Sequence, residues 1–192
     1  VQRNLSALKS LDLTVFHEDL VLDPVPLKKE YKALSESFPF LNQGNGYCLI
    51  HPTSRREKKL WEKEKFSELI NLLAKQDLSV VITSGPDINE VDYVEEILEK
   101  ADVLDQQVLN LAGKTSLLGL AALIKGAKFF IGLDSVASHI AASVNKESIT
   151  LFGPSNHINW KPWSDRAKII VRDDLKNIEV GEVISLVEEM YP

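Results

Sequence analysis

From Tyr47 onward, short apolar runs alternate with helical patterns, and that alternation leaves few folds open. Strand-type runs lie at Tyr47–Ile50, Ser79–Thr83, Val108–Leu111 and Lys128–Ile131, then in the ITL run before Phe152, and at Ile169–Val171. Between them come stretches with apolar residues at i, i+3, i+4 and i+7, the signature of helices with one buried face. Phe66, Leu69, Ile70 and Leu73 mark a helix over Lys63–Lys75. Val91, Val94 and Leu98 mark the inward side of one over Asn89–Lys100. Leu117, Leu120, Ala121 and Ile124 mark a third, and Ala137, Ile140, Ala141 and Val144 a fourth. Val183, Leu186, Val187 and Met190 mark a closing helix. Strands separated by helices must pair in parallel through right-handed crossovers. The expected fold is therefore α/β, a Rossmann-like, doubly wound parallel sheet of about six strands over residues 43–192.

Residues 1–42 read differently. The chain opens at Val1 without a Met and has helical spacing at Leu5, Leu8 and Leu11. It reads as a cut inside a longer protein that keeps a connecting helix. Residues 20–30 carry two prolines and read as extended, with a short helix over Lys29–Ser37 and a loop over Asn42–Gly46. Residues 1–42 are thus expected to be a connector with linker helices.

Several classes of function are excluded by composition. A net charge of -6 over 192 residues disfavours non-specific nucleic-acid binding, so no nucleic-acid partner is expected. No run of about 18 apolar residues could span a bilayer. The single cysteine, Cys48, excludes an internal disulfide and a zinc–thiolate site, and the histidines form no metal-spacing cluster, so no metal is expected. Neither a GxGxxG nor a GxxxxGK[ST] motif is present, and there is no Gly-x-Ser-x-Gly elbow.

In a doubly wound sheet, ligands bind at the carboxyl ends of the strands, so chemistry should lie in the strand-to-helix loops. After the fourth strand, Gly132 breaks the run and Asp134 or Ser135 caps the next helix, with His139 one turn further on. A hydroxyl, an imidazole and free amides at a helix start suit a phosphate, although a plain βαβ turn would look the same. After the first strand, Thr53 and Ser54 precede Arg55, Arg56, Lys58 and Lys59. Hydroxyls followed by cations can grip a diphosphate, or can form a solvated loop. After the second strand, Gly85 leads into Asp87 and Glu90; either acid could accept from a ribose diol or serve as a first-turn helix acid. After the fifth strand, Trp160 and Trp163 flank Pro162 and could border a sugar or base, or plug the core.

Taken in order, HPTSRxxxKxW, VVITSGP, FIGLDSVxxHIAA and ITLFGPSxxxxWxPW resemble the glycosyltransferase family that includes the lipopolysaccharide heptosyltransferases, glycosyltransferase family 9. TSR and LFGPS…WKPW are most similar to the heptosyltransferase III branch, and the resemblance runs from about Val1 to Tyr191. It implies the C-terminal, donor-binding half of a GT-B enzyme that transfers heptose from ADP-heptose to the lipopolysaccharide inner core, with inversion and without a metal or other cofactor. On this resemblance Thr53, Ser54, Lys59, Ser135, Val136 and His139 contact the donor diphosphate. Asp134, Asp87, Glu90 and Gly85 lie by the sugar or nucleoside. Many family members have Gly where this chain has Val136, and a side chain there limits backbone approach to phosphate. The catalytic base is implied to lie in an N-terminal domain that also holds the lipid-linked acceptor, so no catalytic residue is expected in this chain, which alone should bind the donor without turnover. The implied location is cytoplasmic, with peripheral contact at the inner face of the inner membrane. A GT-B domain using another nucleotide sugar, and a non-catalytic nucleotide-sugar binding module, are the alternative readings.

Overall fold

A computed structural model of the chain describes residues 22–76 and 78–191. The helix expected around Leu5, Leu8 and Leu11 lies outside them. Six strands, β1 (Tyr47–His51), β2 (Ser79–Ser84), β3 (Val108–Ala112), β4 (Phe130–Leu133), β5 (Ser148–Phe152) and β6 (Ala167–Val171), form one sheet in the order 3-2-1-4-5-6. Every pairing is parallel. This is the doubly wound order expected from the sequence, and it reverses between β1 and β4. The helices are α1 (Pro24–Ser37), α2 (Lys63–Lys75), α3 (Ile88–Lys100), α4 (Leu117–Gly126), α5 (Val136–Ser143), the short α6 (His157–Trp160) and α7 (Val180–Met190).

Parallel strands covered on both faces read as continuous apolar runs, and β1, β4 and β5 are buried along their whole length. Alternate residues feed two cores. Cys48, Ile50, Val80, Ile82, Ile131 and Leu151 face α2, α3 and α7, where Phe66, Leu69, Ile97 and Val183 meet them. Tyr47, Leu49, Val81, Leu111 and Phe130 face the other side, beneath α1, α4 and α5. The Cys48 thiol, wholly enclosed in β1, is pushed up to about 12 by burial. Trp61 is a pillar of the first core: its ring meets Phe66 edge-on at 4.9 Å and its indole N–H donates to Ile178 O at 3.1 Å. Tyr93 donates to the Trp61 carbonyl. Together these contacts pin the end of the long loop after β1.

Four local expectations are corrected. Residues 24–30 are helical, because Pro24 occupies the first helical position, where no N–H is needed, and the Asp23 carboxylate accepts from Val25 N at 2.9 Å. The helix buries Leu27 against the second core. Strand β4 does not stop at Gly132 but runs through it, in register with His51 and Thr150. A Cβ at Gly132 would come within 2.5 Å of the Phe130 ring, so close ring packing, and not a turn, requires the glycine. On α3 the inward set widens: Ile97 is buried with Val94, and Val91 and Leu98 pack half-buried against the same core. Leu117, at the start of α4, is 65% exposed, while Leu120–Ile124 carry the packing.

Gly132→Ala should destabilise the fold by about 1–3 kcal/mol, the usual cost of overpacking, with a fall in Tm of about 2–4 °C per kcal/mol for a chain of this size. Urea and thermal unfolding of the variant measure it, and an unchanged midpoint would show that the Phe130 ring gives way freely.

Candidate functional site

The reversal of strand order opens a crevice between the carboxyl ends of β1 and β4, and the loops after these strands form its walls. The loop after β1 turns through a short 3-10 segment, Glu57–Lys59, closed by Lys59 N donating to Arg56 O at 2.8 Å. That turn and the Trp61 anchor bring Lys59 over the crevice. Its ammonium lies 2.5 Å from Asp134 Oδ2, on the loop after β4, and both side chains are largely shielded from water, at 21% and 8% exposure. Arg55, Arg56 and Lys58 stay exposed around this pair.

Asp134 is therefore the partner of Lys59 and not a helix cap. Ser135 takes the N-cap place of α5 in extended geometry, but its hydroxyl caps nothing. That oxygen is buried without a hydrogen-bond partner among the described residues, as is the hydroxyl of Ser155 on the loop after β5. The first-turn amides of α5 consequently have no side-chain cap, and the positive end of the helix faces the crevice. Val136 is exposed at the first helical position. His139, one turn on, faces solvent; partial desolvation holds its imidazole below the ordinary value, and the Asp134 carboxylate opposes that shift.

On the β2 side the two acids separate. Asp87 is exposed and caps α3, its carboxylate accepting from Asn89 N at 2.9 Å. Glu90 turns inward instead. Its Oε2 accepts from Gly85 N at 3.0 Å and from the Thr53 hydroxyl at 2.6 Å. Thr53 is only 1% exposed, so its proton is committed to Glu90 while Ser54, half-buried beside it, carries the second hydroxyl of the pair. Of the aromatics after β5, Trp160 is 60% exposed on α6, Trp163 is half-buried, and Pro162 between them is buried. Trp160 is thus no core plug.

Two residues outside the expected set join this cluster. His51, at the last position of β1, places Nδ1 3.0 Å from Thr83 Oγ1 and Nε2 3.5 Å from Thr53 Oγ1. A polar residue ending an apolar strand at the carboxyl edge was the available signal for His51; Thr83 gave none, because threonine is ordinary in strands. Burial pushes the imidazole down to about 4, against the pull of Glu90. Among the described residues no group of three or more His, Cys, Asp or Glu side chains is placed to hold a metal ion.

A sequence profile of glycosyltransferase family 9 (heptosyltransferase) matches residues 1–186. Lipopolysaccharide heptosyltransferase 3 of Escherichia coli strain K12 is 36% identical over 165 residues, 86% of this chain and 47% of that protein. A second Escherichia coli lipopolysaccharide heptosyltransferase 3 is 34% identical over all of this chain and 60% of its own length. The chain thus spans about half the length of these relatives. Among solved structures, the E. coli heptosyltransferase WaaC with ADP superposes with a TM-score of 0.68 at 25% identity, over 75% of this chain and 44% of that one.

Because the folded His51 titrates below its unfolded value of 6.5, its stabilising contribution is complete above about pH 6.5 and is lost as pH falls toward 4. The expected loss is about 3 kcal/mol. Urea unfolding between pH 7 and 4 should show it, and His51→Gln should flatten that part of the profile; an unflattened profile would place the acid sensitivity elsewhere.

Proposed function

The chain belongs to glycosyltransferase family 9, and we propose that it supplies the donor-binding half of a heptosyltransferase acting in lipopolysaccharide synthesis, with ADP-heptose as donor. One observation carries the reading: the Lys59–Asp134 pair spans the crevice beside an α5 start that has no side-chain cap and whose Ser135 hydroxyl has no hydrogen-bond partner among the described residues. A diphosphate placed there meets a cation from one wall and helix amides from the other. In this reading residues 43–192 form the donor domain, and residues 1–42 form the connector, whose second half docks as α1 against α4.

Transfer of a glycosyl group breaks the bond between the anomeric carbon and the phosphate oxygen, and negative charge grows on the departing diphosphate. Groups that bind this charge more strongly than the ground state lower the barrier. Lys59, the α5 amides, Ser54 and Ser135 are assigned that role, with His139 at the rim. Asp134 holds the Lys59 ammonium in the crevice and lies where donor sugar hydroxyls can reach its carboxylate. Glu90, and not Asp87, is assigned the ribose diol: it is turned inward and its Oε1 is open, whereas Asp87 is engaged in capping. Val136, exposed at the first helical position, keeps the ligand off the backbone at that point. Trp160 borders the crevice on the β5 side.

Activation of the acceptor hydroxyl needs a base within hydrogen-bond reach. We assign that base, and the lipid-linked acceptor, to an N-terminal domain facing this one, so that the chain alone binds the donor without turnover. Transfer proceeds with inversion and without a metal, the positive charge at the phosphates coming from Lys59 and α5. The enzyme works in the cytoplasm, in peripheral contact with the inner membrane.

Isothermal titration should show tighter binding of ADP than of UDP or GDP, and no change on adding EDTA. Preference for another nucleotide would overturn the donor assignment, and loss of binding with EDTA would overturn metal independence. Lys59→Ala should weaken ADP binding by about 1–3 kcal/mol, the scale of a charge-assisted hydrogen bond; unchanged affinity would remove Lys59 from the site.

A further inference from the structure

His51 is the one fully enclosed imidazole among the described residues, and the assigned donor contacts give it no task. Proton counting does. The Thr53 hydroxyl has a single proton, given to Glu90 Oε2 at 2.6 Å, so toward His51 Nε2 its oxygen can only accept. That puts the imidazole proton on Nε2. Nδ1 then carries a lone pair and accepts from the Thr83 hydroxyl at 3.0 Å, the shorter of that hydroxyl's two contacts, the other being the Ile50 carbonyl at 3.5 Å. All the hydrogen bonds run one way: Thr83 to His51, His51 to Thr53, Thr53 to Glu90. The 3.5 Å step from His51 to Thr53 is the weakest of the three.

The chain ends on one oxygen of the carboxylate. Oε2 receives both Thr53 and the Gly85 amide, and no donor among the described residues reaches Oε1. A Cβ at Gly85 would lie 2.9 Å from Oε2 and 3.0 Å from Oε1, so the glycine lets the carboxylate lie against the loop backbone. The carboxylate is thereby clamped from two sides with one face left open at the carboxyl edge of the sheet.

We propose that His51 is a positioning residue for the nucleoside half of the site: through the Thr53 hydroxyl it clamps Glu90 so that Oε1 is presented to a vicinal diol of the ligand. This rests on the donor-site reading above and adds a residue to it. The neutral state is part of the device. A second proton on the ring would deny Thr83 its acceptor and place a charge in a closed site.

Titration of the full chain with ADP, 2′,3′-dideoxy-ADP and AMP tests the role. Wild type should bind ADP about tenfold or more tightly over the dideoxy nucleotide, the effect of one good hydrogen bond to a charged group. In His51→Ala that ratio should collapse toward one while the preference for ADP over AMP, which reads the phosphate side, persists. His51→Gln, whose side-chain N–H can donate to Thr53, should restore most of the diol preference. Nitrogen-15 NMR of the imidazole should find the proton on Nε2. Retention of the full diol preference in His51→Ala, or a proton on Nδ1, would overturn the role of His51. Equal affinity of wild type for ADP and the dideoxy nucleotide would instead overturn the assignment of ribose to Glu90, and the role of His51 with it.

Discussion

Between β1 and β4 the sheet changes its direction of winding, so the chain leaving one strand and the chain leaving the other diverge to opposite faces. Two charged side chains meet across the gap they leave, Lys59 from one loop and Asp134 from the other. A pair this shielded from water is held by more than mutual attraction, since desolvation offsets much of the Coulomb gain. What holds it is the packing beneath. Trp61, locked by Phe66, Ile178 and Tyr93, fixes where the first loop ends, and the hydrogen bond from Asp134 N to Leu151 O fixes where the second begins. The charge arrangement in the crevice is a consequence of those apolar anchors.

The two cores divide the labour of the sheet. The face toward α2, α3 and α7 is apolar at Cys48, Ile50, Val80, Ile82, Ile131 and Leu151 and provides rigidity. The face toward α4 and α5 is more polar, with Ser148 and Thr150 buried along β5. At its carboxyl edge it carries Thr83 and His51 side by side, then Gly132 beneath the Phe130 ring. Polarity inside a sheet costs stability unless every group is paired. His51 and Thr83 find their pairs by turning toward Thr53 and Glu90, which makes the interior of the sheet continuous with the loops at its edge, whereas the Ser148 and Thr150 hydroxyls on the same face are unpaired among the described residues.

Much of this was legible in the sequence because periodicity is a local property. The Lys63–Lys75 helix is legible to the residue, since its apolar face and its flanking charges lie within one window. The six strands followed from apolar runs bounded by polar loops. Misreadings occurred where the reason for a residue lay elsewhere in the fold. Gly132 reads as a breaker, and only the Phe130 ring explains it. Pro24 and Pro26 read as extended chain, because their compatibility with a first helical turn depends on Asp23 capping it. Asp87 and Glu90 were indistinguishable in sequence, since both fit the first turn of a helix; Thr53, 37 residues away, separates them. The place of His51 at the end of an apolar strand is legible, but its task is not, because its partner Thr83 lies 32 residues on.

Cys48 offers a use that its surroundings determine. It is the chain's single thiol, it sits in β1 at the centre of the sheet, and burial suppresses its ionisation. A thiol reagent attacks the ionised form and needs physical access to the sulfur. Reaction at Cys48 therefore waits for β1 to part from β2 and β4, an opening close to complete unfolding. The chain thus carries its own chemical clock: the rate of labelling in native buffer reads how often the middle of the sheet comes apart, with no engineered reporter and no denaturant present.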